Sequence, residues 1–236
     1  MCCLFGIVDH RNYFSVKEKN HILSVLSAEC EERGTDATGI AYCSHDHLSI
    51  YKRPLEAHRL HFRVPGDSQV IMGHTRMTTQ GMASRNRNNH PFFGEAGGEL
   101  FALAHNGVLW NDDILRRSKH LPKTKIETDS YIAVQLIEQK NTLDLSSQKY
   151  MAEQVEGSFT FTVLDERENL YFVKGDSPMP VLLSPLRRVS VCVHGGNSEP
   201  GTGTFESADW QAGADHAGLW GHSEAHALRA AGDVLL

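Results

Sequence analysis

The chain starts with two adjacent cysteines after Met1, and the second of them opens an apolar, β-prone segment from Cys3 to Asp9. A side chain as small as that of Cys2 should allow removal of Met1, which would make Cys2 the mature N-terminus. Its thiol and a free α-amine would then lie on one residue. Their reference pKa values, about 8.5 and about 7.7 to 8.0, allow the amine to accept the thiol proton near neutral pH. If Cys2 is such a nucleophile, the first strand belongs to an active site; the alternative is that a cysteine at position 2 has no role.

The order of predicted elements indicates an α+β fold with strands at both ends and helices between them. Apolar, β-prone runs predict strands at 3–9, 39–43, 48–52, 70–75, 100–105, 159–164, 171–174, 181–184 and 188–193. Helical spacing of apolar residues predicts helices at 17–33, 111–117, 128–140 and 146–155. Gly34 is expected to end the first helix, and Thr128 to cap the third.

Composition excludes several classes of protein. Hydrophobic residues make up 40% of the 236 residues and charged residues 22%, and no apolar run approaches the roughly 18 residues of a membrane helix. The start of the chain lacks the basic and long apolar parts of a secretory signal, so we expect a cytoplasmic protein with no membrane contact. The five cysteines form no CxxC pair, which favours reduced thiols over a disulfide framework or a zinc site. Outside the acidic residues 194–236 the charges nearly balance, so no nucleic acid partner is expected.

Three segments carry residue types suited to binding or catalysis. The segment 73–81 places Arg76 at the end of a predicted strand, and arginine binds a carboxylate through two parallel hydrogen bonds. Another predicted strand runs into Asn106-Gly107, where an amide donor beside a closely approaching backbone N–H can form an oxyanion hole. An ordinary Asn-Gly turn is the alternative. At the start of the third helix, Asp129 can bind a ligand ammonium or simply cap the helix.

Together these segments resemble the glutaminase domain of class II glutamine amidotransferases. This family of N-terminal nucleophile (Ntn) hydrolases includes the glutaminase domains of glucosamine-6-phosphate synthase and phosphoribosylpyrophosphate amidotransferase. The resemblance covers about residues 2 to 185 and rests on short segments in the family's order, at 2–8, 33–39, 73–81, 89–92, 105–107 and 127–129. It implies the four-layer αββα sandwich of Ntn hydrolases, with two antiparallel sheets face to face and helices outside.

The resemblance also implies a reaction. Cys2 attacks the side-chain amide of glutamine, and Asn106 with the N–H of Gly107 holds the tetrahedral oxyanion. Loss of ammonia leaves a γ-glutamyl thioester on Cys2, which water hydrolyses to glutamate. The implied chemistry needs no metal and no cofactor.

Substrate contacts follow from the same resemblance. Arg76, helped by Thr79, binds the α-carboxylate of glutamine, and Asp129 binds its α-ammonium. Arg33 is similar to the family arginine that supports the surroundings of the nucleophile.

Three departures from the family pattern leave alternatives open. Met77 stands where relatives commonly have an aromatic residue, and Gln80 where some have histidine, so the pocket can differ in shape. Cys3 follows the nucleophile where many relatives have glycine, and we expect it to be a buried neighbour. The alternatives are an Ntn amidohydrolase acting on another γ-glutamyl or linear amide, and a non-catalytic glutamine-binding module.

The last part of the chain differs in character from the rest. Residues 194–236 are rich in glycine and alanine, with six acidic residues and one basic residue. We therefore predict an amidotransferase domain over 2–193 and a poorly ordered tail over 194–236, because few large aliphatic side chains are available to offset the entropy of ordering it. This tail is too short for a second catalytic domain, so the ammonia acceptor is expected on another chain, as a separate synthase or acceptor subunit.

Overall fold

The computed structural model describes residues 2–175, 181–184, 189–193 and 224–229. The strands are β1 (Cys3–Asp9), β2 (Ala37–Ser44), β3 (His47–Arg53), β4 (Val70–Arg76), β5 (Phe92–Ala96), β6 (Glu99–Leu109), β7 (Gly157–Asp165), β8 (Asn169–Lys174), β9 (Val181–Ser184), β10 (Val189–Val193) and β11 (Glu224–Arg229). The helices are α1 (Val16–Glu31), α2 (Asp112–Ser118), α3 (Tyr131–Lys140) and α4 (Leu145–Gln154). Across these described ranges, no helix combines the length and the apolar character needed to cross a membrane.

The strands form two antiparallel sheets. The first has the order β3-β2-β4-β1-β10-β9, and the second the order β11-β8-β7-β6-β5. The first strand of the chain therefore lies inside a sheet, paired with β4 on one side and β10 on the other. In the second sheet β6 lies between β5 and β7. Both strands that carry predicted catalytic residues are thus held on two sides.

Alternation of side chains along the strands produces four layers. Phe5 of β1 packs with Leu23 of α1 on the outer face of the first sheet. The preceding residue, Leu4, points to the opposite face and packs with Ala102 of β6 between the sheets. Phe101, next to Ala102, belongs to the cluster that joins the second sheet to α3 and α4. This arrangement confirms the predicted α+β fold, a four-layer αββα sandwich.

Strand β5 and the start of helix α3 differ from the sequence predictions. Strand β5 was not predicted, because its sequence combines a glycine with alternating exposed residues and is flanked by Pro91 and further glycines. Its Gly94 is required by packing, since a Cβ there would lie 2.2 Å from the ring of Phe101. Helix α3 begins at Tyr131 and not at residue 128. Thr128 does not cap it, and the buried Thr128 hydroxyl has no hydrogen-bond partner in the described part of the chain.

The end of the chain is described only in part. Residues 224–229 form β11, which pairs with β8 at the edge of the second sheet. The sequence shows no clear period in this region and predicts no strand there. The other residues of the predicted tail, 194–223 and 230–236, lie outside the described residues. The domain boundary at 193 and the poor order of the tail remain predictions.

Candidate active site

Strand pairing places the first residues of the chain beside the end of β4. Cys3 pairs with Thr75, so Cys2 lies next to Arg76 and the turn that follows it. The Met77 N–H points at the Cys2 Sγ at 3.4 Å, and the Sγ lies 3.5 Å from the Met77 carbonyl oxygen. The half-buried thiol is therefore held at the point where β4 leaves the sheet.

The environment of Cys2 disfavours ionisation of its thiol. Burial raises the pKa of the Cys2 thiol, while the Met77 N–H and the Arg76 guanidinium lower it and Asp129 raises it further. The charges of Arg76 and Asp129 thus both act on the Cys2 sulfur, although the three residues lie far apart in the sequence. A thiol with a raised pKa needs a base to become a nucleophile near neutral pH.

Arg76 is buried at the end of β4, with only 3% of its surface exposed. Its Nη1 donates to the Asn89 Oδ1 at 2.7 Å, and its Nη2 donates to the carbonyl oxygens of Gln80 and Gly81 at 2.6 and 2.9 Å. No carboxylate forms an ion pair with it among the described residues, and burial lowers the pKa of the guanidinium. A buried guanidinium held by neutral acceptors is suited to bind a ligand carboxylate.

Asn106 and Gly107 lie inside β6, so the alternative of an Asn-Gly turn is wrong. Gly107 has φ +144°, and a Cβ there would lie 1.9 Å from the Ser158 carbonyl oxygen, so a glycine is required. Asn106 is buried beside it, with 3% of its surface exposed. A buried amide next to a closely approaching backbone N–H is suited to bind a ligand oxygen.

Asp129 is held by the backbone of β6 and does not cap α3. Its Oδ2 accepts from the Leu109 N–H at 2.8 Å, and its Oδ1 accepts from the Ser130 hydroxyl at 3.3 Å. The Ser130 Oγ also lies 2.8 Å from the His105 Nδ1. The carboxylate is 4% exposed and forms no ion pair in the described part of the chain, which suits it to bind an ammonium group.

The other two predicted binding residues are placed differently. Arg33 follows α1, and its Nε donates to the Cys2 carbonyl oxygen at 3.4 Å, which supports the backbone of the nucleophile. Thr79 is exposed in the turn after Arg76, and its contact with substrate remains a prediction.

The Cys3 side chain lies on the face of the first sheet that packs on α1, away from the Cys2 thiol. Its thiol is buried, belongs to the cluster between the first sheet and α1, and lies 2.7 Å from the thiol of Cys30. Successive side chains of a strand point to opposite faces, so only one of the two adjacent cysteines faces the site. This placement agrees with the expectation that Cys3 is a buried neighbour.

Buried histidines connect the two sheets beneath the site. The His74 Nε2 donates to the His105 carbonyl oxygen at 2.9 Å, and the His74 and His90 rings lie 4.2 Å apart. Burial lowers the pKa of His74 to about 3, that of His105 to about 4, and that of His90 well below the usual value. The rings are therefore neutral near pH 7, and the link from His74 to His105 holds β4 against β6.

Within the described ranges, no group of three or more His, Cys, Asp or Glu side chains is arranged to hold a metal ion.

The sequence analysis missed two residues in the surroundings of Arg76. Asn89, which lies in one of the recognised segments, was assigned no role, yet its amide oxygen accepts from Arg76. Lys52 was not singled out, because a lysine on a strand carries no sequence signal. Its Nζ donates to the carbonyl oxygens of Asn89 and Pro91.

Comparison with known proteins finds relatives in sequence. The chain is 31% identical over 184 residues to a glutamine–fructose-6-phosphate aminotransferase (isomerizing) of Staphylococcus aureus. The matched residues make up 74% of this chain and 30% of that protein. The enzyme of the same name from Chlamydia muridarum is 35% identical over 188 residues, covering 76% of this chain and 30% of that protein. The chain thus matches about a third of the length of these relatives. No protein-family model matches it.

Solved structures share the fold. One described as the allosteric regulatory enzyme of purine biosynthesis superposes with a TM-score of 0.64 at 19% identity, over 82% of this chain and 42% of that chain. Glutamine phosphoribosylpyrophosphate amidotransferase from B. subtilis superposes with a TM-score of 0.61 at 19% identity, over 81% of this chain and 41% of that chain. At this identity the likeness concerns the fold alone.

Proposed function

The chain belongs to the class II glutamine amidotransferases, a family of enzymes, and we propose that it hydrolyses the side-chain amide of glutamine to glutamate and ammonia. The observation that carries this proposal is the meeting of three groups that are distant in the sequence. Strand pairing places the Cys2 thiol beside Arg76 at the end of β4. The buried Asp129 carboxylate is bound to β6, the strand of the predicted oxyanion hole, and both charges act on the pKa of the thiol. A cation and an anion beside one nucleophile match the α-carboxylate and α-ammonium of an amino acid.

The proposed reaction uses Cys2 as the mature N-terminus. Its α-amine accepts the thiol proton, and the sulfur attacks the side-chain carbonyl carbon of glutamine. Asn106 and the Gly107 N–H hold the negative oxygen of the tetrahedral intermediate. The intermediate collapses when the protonated amine returns a proton to the leaving nitrogen, which releases ammonia and leaves a γ-glutamyl thioester. Water then attacks the thioester carbon with the same amine as base, and glutamate leaves.

Substrate orientation is assigned to four residues. Arg76 and Thr79 bind the α-carboxylate, and Asp129 binds the α-ammonium. Arg33 holds the Cys2 carbonyl and so the direction of the thiol. These roles agree with the burial of Arg76 and Asp129, neither of which forms an ion pair within the described ranges.

We place the ammonia acceptor outside the domain of residues 2–193, on a fused or separate synthase or acceptor unit. The relatives support an acceptor in general terms, since their names describe transfer of an amino group from glutamine to a sugar phosphate. A cytoplasmic location is part of the same proposal.

The decisive experiment supplies glutamine as the only substrate. We expect glutamate release by purified protein from which Met1 has been removed, as measured by intact mass. We also expect covalent labelling of Cys2 by a glutamine-mimicking electrophile. Absence of labelling together with intact Met1 would favour a glutamine-binding module. Glutamate release from another γ-glutamyl amide, but not from glutamine, would favour the alternative substrate.

Substitution of the charged binding residues is expected to weaken substrate binding more than turnover. Arg76→Ala and Asp129→Asn should each raise KM for glutamine at least about tenfold, because each removes a charge-assisted contact worth about 1.5 to 3 kcal/mol. Substrate analogues provide the matched control. The kcat/KM for glutaminamide, which lacks the α-carboxylate, should fall little further in Arg76→Ala. The kcat/KM for N-acetylglutamine, which lacks the α-ammonium, should fall little further in Asp129→Asn. Equal losses for both analogues in both variants would contradict the assignment.

Isolated protein is expected to turn over glutamine slowly until an acceptor partner binds. The turn after Arg76 supplies two of the carbonyls that hold the guanidinium, yet Met77 and Met82 at its ends are 42% and 59% exposed. Contact with a partner would order such a turn and complete the pocket. The measurement is glutamate release with and without cell extract, followed by identification of any co-purifying chain. Fast turnover by the pure protein, with no stimulation by extract, would contradict this prediction.

A further inference from the structure

Lys52 on β3 lies half buried without a carboxylate partner among the described ion pairs. Its Nζ donates to the Asn89 carbonyl oxygen at 2.5 Å and to the Pro91 carbonyl oxygen at 2.7 Å, and lies 5.1 Å from the centre of the Phe92 ring. Burial lowers the pKa of this ammonium to about 8, and the charge of Arg76 acts in the same direction. A lysine in such surroundings needs its carbonyl contacts to offset the cost of burial.

The carbonyls that Lys52 holds belong to the segment that holds Arg76. We name residues 86–91 the clamp segment. Its Asn89 is bound by Lys52 through the main chain and by Arg76 through the side chain. The Asn89 Nδ2 donates to the Ala83 carbonyl at 2.8 Å and to the Asn86 Oδ1 at 3.2 Å, so the amide oxygen is turned toward Arg76.

A second bond closes the network. The Asn86 Nδ2 donates to the Lys52 carbonyl oxygen at 3.0 Å, so β3 and the clamp segment are joined in both directions. Gly39 on β2 allows this approach, because a Cβ there would lie 2.3 Å from the His90 carbonyl oxygen and 2.7 Å from the Lys52 Cβ. The clamp segment therefore packs against the first sheet, where Lys52 is the charged residue that donates to its carbonyl oxygens.

We propose that Lys52 is a positioning residue for Arg76: by fixing the clamp segment to β3, it sets the direction in which the guanidinium meets the substrate carboxylate. The inference rests on the proposed function, because it concerns the carboxylate of glutamine. Lys52 touches neither the nucleophile nor the reacting amide. Its loss therefore acts on substrate binding and not on the chemical step.

Kinetics and binding test the proposal. Lys52→Met removes the donors, and we expect KM for glutamine to rise about tenfold with kcat within about twofold of the parent. Lys52→Arg, which keeps the charge and donors, should restore most of the loss. Arg53→Met is the matched control, since Arg53 is exposed on the same strand and contacts the Tyr51 ring and the Lys52 carbonyl. It should leave KM unchanged. A merely structural role would lower kcat or stability in Lys52→Met without a selective rise in KM, and would overturn the proposal.

Hydrogen exchange provides a readout that does not depend on catalysis. Two backbone amides of the clamp segment, those of Asn88 and Asn89, donate to the carbonyls of Arg85 and Asn86 at 2.8 and 3.2 Å. We expect these amide hydrogens to exchange faster in the Lys52→Met protein, and at an unchanged rate in the Arg53→Met protein. Unchanged exchange in a folded Lys52→Met protein would overturn the proposal. If Lys52→Met does not fold, Lys52→Gln, which keeps two N–H donors on a shorter side chain, takes its place with the same expected directions.

The two proposals can fail separately. Glutamine binding by calorimetry in the Cys2→Ala background measures the effect of Lys52→Met without turnover. If the parent protein binds glutamine but does not hydrolyse it, the proposed catalysis fails, and a tenfold weaker binding by Lys52→Met still supports the positioning role. If the parent neither binds nor hydrolyses glutamine, the proposed function fails, and the positioning of Arg76 for glutamine fails with it.

Discussion

Cys2→Ala is expected to abolish glutamine hydrolysis, with kcat reduced by a factor of at least about 10⁴, while the protein stays folded. The substitution removes the sulfur that forms the thioester, and no other group in the reaction can replace it. It buries no new polar atom, so the free energy of unfolding should change little. The measurement is glutamate release by enzyme at high concentration, with circular dichroism and thermal unfolding as the check on folding.

Cys3→Ala is the matched control for this prediction. The two thiols are adjacent in sequence, but that of Cys3 lies on the face of β1 that packs on α1, where it contacts Cys30 away from the site. We expect Cys3→Ala to keep most of the activity and to lose some stability from the small cavity left in the cluster beneath α1. If Cys3→Ala were inactive and Cys2→Ala active, the assignment of the nucleophile would be wrong.

Asn106→Ala is expected to lower kcat by about 10² to 10³, equivalent to about 2.7 to 4 kcal/mol of transition-state stabilisation, with a much smaller change in KM. The amide of Asn106 lies buried on β6, beside the Gly107 N–H that shares its proposed role. Its contribution arises when the carbonyl oxygen of the substrate becomes negative. Steady-state kinetics with glutamine provides the test.

Asn169→Ala is the control for loss of an amide in the same sheet. Asn169 on β8 donates to the Asp165 carboxylate at 2.7 Å, and this bond serves the sheet and not the site. We expect this variant to lose stability while keeping kcat. If Asn106→Ala raised KM and left kcat unchanged, Asn106 would be a binding residue and not an oxyanion donor.

Local patterns in the sequence predicted most of the elements near their observed bounds. They succeeded for β1, α1 and β4 because these elements bury a continuous apolar face, which imposes a period on the sequence. They failed for β5 because a glycine in this strand makes room for the Phe101 ring, a packing requirement that leaves no periodic signal. They also failed for the start of α3, where the side chain of Asp129 bonds to β6 and does not cap the helix.

The candidate site divides in a similar way. The sequence by itself predicted the reactive residues Cys2, Arg76, Asn106 and Asp129, from the chemistry that each side chain has and from the order of segments that resembles the family. Tertiary structure decided that Arg76 and Asp129 both act on one thiol, since only the pairing of β1 with β4 and the packing of two sheets bring these distant segments together.

The same division explains why Lys52 could not be found from the sequence. A lysine on a strand is ordinarily a solvated side chain, and nothing in its neighbours marks it as half buried. Its role arises from the approach of the clamp segment to β3, which depends on the space left by Gly39 on the neighbouring strand. Residues whose function lies in their own chemistry could be predicted, whereas residues that act by holding others depend on long-range contacts that exist only in the folded chain.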